Sequence, residues 1–215
     1  MKIAVVGANT ALGSSIVRKA EESGIGVVSL VTSAINLAGQ GRVVIKNFQD
    51  LLISDFNDCH CIVDTESFLR IDKYSSDLLP IWHLLELLKG SSIKLLTLGS
   101  SSFLYTDKSR RNLVYESECL CSESEAISPL LCVNAYNRLK SCDNVNWSVL
   151  CPPLLIDKAG YGCGNIEFSN DILPMGVDGD SSISQSDFSL ATIELLKRGL
   201  PLRSCVSVRA IRHHL

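Results

Sequence analysis

Gly7 and Gly13 bracket the residues Ala8-Asn9-Thr10-Ala11-Leu12 and follow directly on the apolar run Ile3-Ala4-Val5-Val6. A turn of this kind can hold a phosphate. The first glycine allows a sharp exit from a strand, and the last lets the following helix pack close to the sheet. The helix N-terminus offers amides and a partial positive charge to an anion. Gly-x5-Gly alone is a weak signal, but its position between a strand pattern and a helix pattern strengthens it. Ser100 and Ser101 end a second apolar run, Leu95–Gly99, where a hydroxyl could donate to a substrate carbonyl. Tyr136-Asn-Arg-Leu-Lys140 has the spacing of an acid/base tyrosine and a lysine on one helix face. It is also the spacing of an ordinary surface pair. Cys59-His-Cys61 and Cys119-Leu-Cys121 are C-x-C, not the wider spacing of a zinc knuckle. They read as small buried hydrophobes, and no metal site is expected.

The elements that must position these residues alternate. Strands are expected at Lys2–Val6, Val27–Val31, Val43–Lys46, His60–Asp64, Ile93–Gly99, Trp147–Cys151 and Cys205–Arg209. Helices are expected at Thr10–Ser23, near Gln49–Asp55, and at Tyr74–Lys89, Ser128–Ser141 and Ser186–Arg198. Ser128 before Pro129 reads as a cap followed by a first-turn proline. Strand, helix, strand, helix implies an α/β fold: a doubly wound, mostly parallel sheet, the Rossmann fold, with helices on both faces. One domain spanning 1–215 is expected. Two weakly patterned segments, Tyr105–Ile127 and Pro152–Ser184, each follow a strand. Ligands of open α/β sheets bind beyond the carboxyl ends of the strands, so these segments form a candidate substrate lobe.

The 215 residues are 46% hydrophobic and 20% charged, with a formal net charge of -3. That balance supports a filled core and argues against nucleic-acid binding. No apolar run approaches the length of a membrane span. Nine cysteines, odd in number and irregularly spaced, fit a reducing compartment, and a cytoplasmic location without a signal peptide is expected.

The sequence resembles the atypical branch of the short-chain dehydrogenase/reductase superfamily, the NmrA-like and NADH-flavin-reductase-like proteins. Gly7-Ala8-Asn9-Thr10-Ala11-Leu12-Gly13 is similar to G-A-T-G-x-x-G. Val63-Asp64, Leu95-Leu96-Thr97-Leu98-Gly99-Ser100-Ser101, Trp147-Ser-Val-Leu-Cys-Pro152-Pro153 and Ile183-Ser-Gln-Ser-Asp187-Phe also resemble family segments. The resemblance implies a nicotinamide cofactor, NADP or NAD with NADP favoured, and hydride transfer to a small-molecule acceptor such as a flavin or quinone. It places the pyrophosphate on Gly7, Asn9, Thr10, Ala11, Leu12 and Gly13, and the adenine end near Thr32, Ser33 and Asn47. Asp64 and Thr65 would flank the cofactor, and Pro152 would lie at the nicotinamide end. Ser100 and Ser101 would be catalytic.

The chain departs from the family pattern at several positions. Thr10 replaces the middle glycine, where its hydroxyl could donate to a phosphate. Asn47 replaces an aspartate, and Glu66 stands where small residues are usual. The family's lysine would fall near Val133, which leaves Tyr136 and Lys140 towards the far end of their helix. Two alternatives accompany the oxidoreductase reading: a non-catalytic dinucleotide-binding redox sensor, and a Rossmann scaffold without cofactor.

Overall fold

Ile3 to Val6 carry no polar alternation, as a strand covered on both faces requires. In the computed structural model, which describes residues 1–71, 76–117, 129–176 and 178–211, they lie in strand β1 (Lys2–Val6). β1 sits between β2 (Gly26–Val31) and β4 (Cys61–Asp64). β3 (Arg42–Ile45) continues outward from β2. On the other side follow β5 (Lys94–Leu98), β6 (Trp147–Cys151), β10 (Ser204–Ala210) and β8 (Ile166–Ser169). The order β3-β2-β1-β4-β5-β6-β10-β8 is parallel throughout, except that β8 runs antiparallel to β10. The chain winds outward from β1 to β3, then crosses back to β4. The winding therefore reverses between β1 and β4, and a crevice opens at the carboxyl ends of that pair.

The two-residue period of each strand divides the apolar residues between two layers. Ile3, Val5, Val63 and Leu150 pack against α1 (Ala11–Glu22) and α4 (Gln185–Arg198) through Ile16, Val17, Ala20, Phe188 and Ala191. Ala4, Val6, Ile62, Leu95 and Val149 pack against α2 (Pro80–Leu88) and α3 (Pro129–Lys140) through Ile81, Leu84, Cys132 and Leu139. The doubly wound, mostly parallel sheet with helices on both faces is the fold expected.

The departures are local. The Gln49–Asp55 region forms two 3₁₀ turns, Phe48–Asp50 and Ile53–Phe56, whose buried Phe48 and Phe56 anchor a segment too short to hold a helix. The segment 152–184 is less irregular than its composition implies. It holds β8 and a small parallel pair, β7 (Leu155–Asp157) with β9 (Ser182–Ser184). The capping role read for Ser128 and the residues Cys119 and Cys121 fall outside the described residues. Among the described residues no helix is long and apolar enough to cross a membrane.

Candidate functional site

The turn after β1 is built by close backbone approach. Gly7 has φ +76, a conformation that suits glycine, and its amide donates to Leu30 O at 2.9 Å. A Cβ on Gly13 would lie 2.1 Å from the Gly7 carbonyl oxygen, so only glycine lets α1 start this close to the strand. Thr10 caps α1: its Oγ1 accepts from the Gly13 amide at 3.0 Å and donates to Gly7 O at 2.9 Å. The hydroxyl proton is therefore committed to Gly7, which corrects the expectation that it could donate to a phosphate. The amides of Ala11 and Leu12 take no hydrogen-bond acceptor among the described residues, as the first turn of a helix leaves them.

The residues expected at the adenine end flank this turn. Thr32, after β2, is exposed. Asn9 Nδ2 donates to Ser33 O at 3.3 Å, tying the glycine turn to the loop after β2. Asn47 is exposed and donates to Asp50 Oδ2 at 3.1 Å.

Beyond β4 the chain turns sharply, and Asp64 makes the turn. Fully buried, it accepts from the Glu66 amide at 3.0 Å, the Ser67 amide at 3.1 Å and the Thr97 hydroxyl at 2.9 Å. Loss of water raises its pKa, and the hydrogen bonds oppose that rise. Thr65 Oγ1 donates to Val6 O at 2.8 Å. Asp64 and Thr65 thus brace the β1–β4 edge with side chains turned inward. Glu66, also buried, sends its carboxylate across the crevice: Cγ and Oε1 lie 2.7 Å from where a Cβ on Gly7 would stand. Arg70 is its counter-ion at 3.9 Å.

A small crevice of about 50 Å³ opens farther along the same sheet edge, lined by Phe68, Ser100, Ser101, Pro152, Leu154 and Ile156 among others. Ser100 Oγ accepts from the Ser102 amide at 3.1 Å and lies 2.7 Å from Ser102 Oγ. Ser102 was not read from the sequence, although it directly follows the serine pair. Behind the serines lie buried thiols. Burial pushes the Cys132 thiol up to about 11, against a smaller opposing effect from the Ser100 hydroxyl.

Tyr136 is not half of a surface pair, and this corrects the sequence reading. Its ring stacks on Phe103 at 4.2 Å between centroids, and Phe103 in turn meets Phe68 edge-on at 5.4 Å. Phe103 thus stands between Tyr136 and the crevice wall. Burial raises the phenol pKa, the direction opposite to that an acid/base tyrosine needs. Lys140 lies over the ring, 5.1 Å from its centroid.

The two weakly patterned segments meet. Tyr105 bridges to Leu113 and Ile172, its amide donates to Asp171 O at 2.8 Å, and Arg110 pairs with Asp171 at 2.8 Å. A cavity of about 690 Å³ lies at the opposite sheet edge between His60, Lys94, Leu196 and Leu200, and shares no residue with the glycine turn. Among the described residues no cluster could hold a metal ion.

No family model matches the chain. The uncharacterized protein YwnB of Bacillus subtilis is 22% identical over 205 residues, 92% of each chain. A Streptococcus pneumoniae protein provisionally assigned as an NADH-flavin reductase superposes with a TM-score of 0.87 at 22% identity, covering 98% of this chain and 100% of its own. A provisionally assigned epimerase from Bacteroides thetaiotaomicron does so with a TM-score of 0.84 at 16% identity, covering 100% and 99%. These likenesses show that the chain has the Rossmann fold, the doubly wound sheet described above.

Proposed function

We propose that the chain is an NAD(P)H-dependent oxidoreductase that passes hydride to a small planar acceptor, a flavin or quinone. The observation that carries this reading is the glycine turn at the switch point. Gly7 and Gly13 bring the α1 N-terminus against β1, and the amides of Ala11 and Leu12 face the carboxyl edge of the sheet, a ready seat for a pyrophosphate. The likeness to a protein assigned as an NADH-flavin reductase supports it. Thr32 and Ser33 would meet the adenosine ribose. Thr32 and Ser33 stand where an aspartate or glutamate would take the ribose 2′-hydroxyl of NAD, which favours NADP over NAD.

A nicotinamide ring supplies the hydride when bound. The chain's own residues position and shield. Pro152 and Phe68 wall the crevice, and the Ser100 hydroxyl is held by Ser102 at its rim. With Tyr136 withdrawn behind Phe103, the described residues lining the crevice include no acidic side chain. An acceptor that draws its proton from solvent suits that arrangement better than a ketone does. The test is titration with NADPH and NADH, read by nicotinamide fluorescence, with Gly13→Trp as the blocked control. Micromolar binding lost in the control, followed by turnover with flavin or quinone, is the expected result. Failure of both nucleotides at millimolar concentration overturns the proposal.

A further inference from the structure

The amino ends of β1, β4 and β5 border a second hollow, on the sheet edge away from the glycine turn. Its volume of about 690 Å³ is that of a small-molecule pocket, and its walls include Cys59, His60, Cys61, Lys94, Leu196 and Leu200. Strand register places the parts. Lys94 of β5 is the partner of Cys61 in β4, so their side chains leave the sheet on one face. Cys61 packs in the same apolar layer as Leu196 of α4 and Leu200 just beyond it. The stem of Lys94 therefore starts beside an apolar floor. Lys94 is half-buried, and among the described residues no carboxylate stands within ion-pair distance of it. A second donor lies close by: His60 Nδ1 accepts from the Lys2 amide at 3.2 Å, which leaves the imidazole proton on Nε2.

The field has the same sign. Burial raises the Cys61 pKa, and the Leu96 amide and Lys94 oppose the rise. At Cys59 burial again raises the pKa, Lys2 and Arg42 oppose it, and Asp58 adds to it. Cations thus outnumber the one carboxylate felt at these two thiols.

We propose that this cavity binds a small amphiphilic anion, a medium-chain carboxylate. Its headgroup sits on Lys94 and the His60 Nε2–H, and its chain lies against Leu196 and Leu200. Inorganic phosphate would leave the leucines uncovered, and a neutral chain would leave Lys94 without a counter-charge. The site is independent of the nucleotide-binding reading above.

The test is titration of isotope-labelled wild type and Lys94→Gln with octanoate and octylammonium, followed by amide NMR shifts. The spectrum of the variant itself reports that it is folded. Octanoate is expected to shift the amides of Cys59, His60, Cys61, Lys94, Leu196 and Leu200 saturably. Octylammonium is expected to bind more weakly, and Lys94→Gln to weaken octanoate by about fivefold or more. Equal binding of the two probes, or octanoate affinity unchanged in the variant, overturns the proposal. So does the absence of shifts at these residues at millimolar octanoate, or shifts confined to Phe68 and Ser100 at the other edge.

Discussion

Replacing Gly13 with alanine sets two effects against each other, and the structure decides the sign. Alanine is the better helix former by about 1 kcal/mol, and Gly13 lies inside α1, so propensity alone predicts stabilisation. The new Cβ, however, would stand 2.1 Å from Gly7 O, 2.9 Å from Gly7 C and 2.9 Å from Thr10 Oγ1. Two of these atoms are backbone and cannot swing aside. Relief requires the start of α1 to move off β1 by about 1 Å or more, against the rigidity of a packed interior. Strain of that kind costs about 1–3 kcal/mol, and disturbing the Thr10 cap adds about 1 kcal/mol. The net expectation is a loss of about 1–3 kcal/mol. For a chain of 215 residues that is a fall in Tm of about 3–10 °C. Thermal and urea unfolding followed by circular dichroism would measure it. Gly26→Ala is the control, because its Cβ would meet nothing nearer than Lys2 Cγ at 3.4 Å. A Gly13→Ala protein as stable as wild type would refute the close-approach argument and the account of why α1 starts where it does.

Two further outcomes are expected. Burial raises the Asp64 pKa in the folded chain, so the folded state binds more protons than the unfolded one from the ordinary carboxylate range upward. Stability contributed by this group is present below that range and falls as pH rises through the folded pKa. Asp64→Asn can keep the Glu66 and Ser67 contacts through Oδ1, so the stability difference between variant and wild type should shift in the variant's favour as pH rises. A difference flat with pH would contradict this. Iodoacetamide at pH 8 should label exposed Cys163 in the native protein and leave Cys61, with its thiol pushed up to about 12, unlabelled until unfolding. Peptide mapping that finds Cys61 modified first would show that the α1–α4 layer opens readily.

Sequence reading reached the sheet because its strands are buried on both faces: Ile3–Val6 is apolar without interruption, and Leu95–Leu98 is broken only by the buried Thr97. It missed β7, β8 and β9, each of three or four residues, because strands that short carry too few positions for a pattern, and glycines surround them. At the site, the glycine turn was legible since Gly7 and Gly13 act through local geometry. The inward hydroxyl of Thr10, the position of Tyr136 behind Phe103 and the reach of Glu66 to Gly7 were not. Each depends on which way a side chain turns relative to another element, which spacing along the chain does not encode.

The clip between Arg110 and Asp171 joins segments 61 residues apart. Backbone bonds at Tyr105 reinforce it on both sides, to Asp171 and from Leu173. The parts of the two segments around Tyr105–Arg110 and Asp171–Leu173 are therefore tied at several points and are expected to move together instead of as two independent loops. The ion pair lies at the surface, so salt weakens it while the backbone ladder is little affected. Ionic strength should then alter the local mobility of these segments, read by hydrogen exchange, more than it alters the stability of the fold.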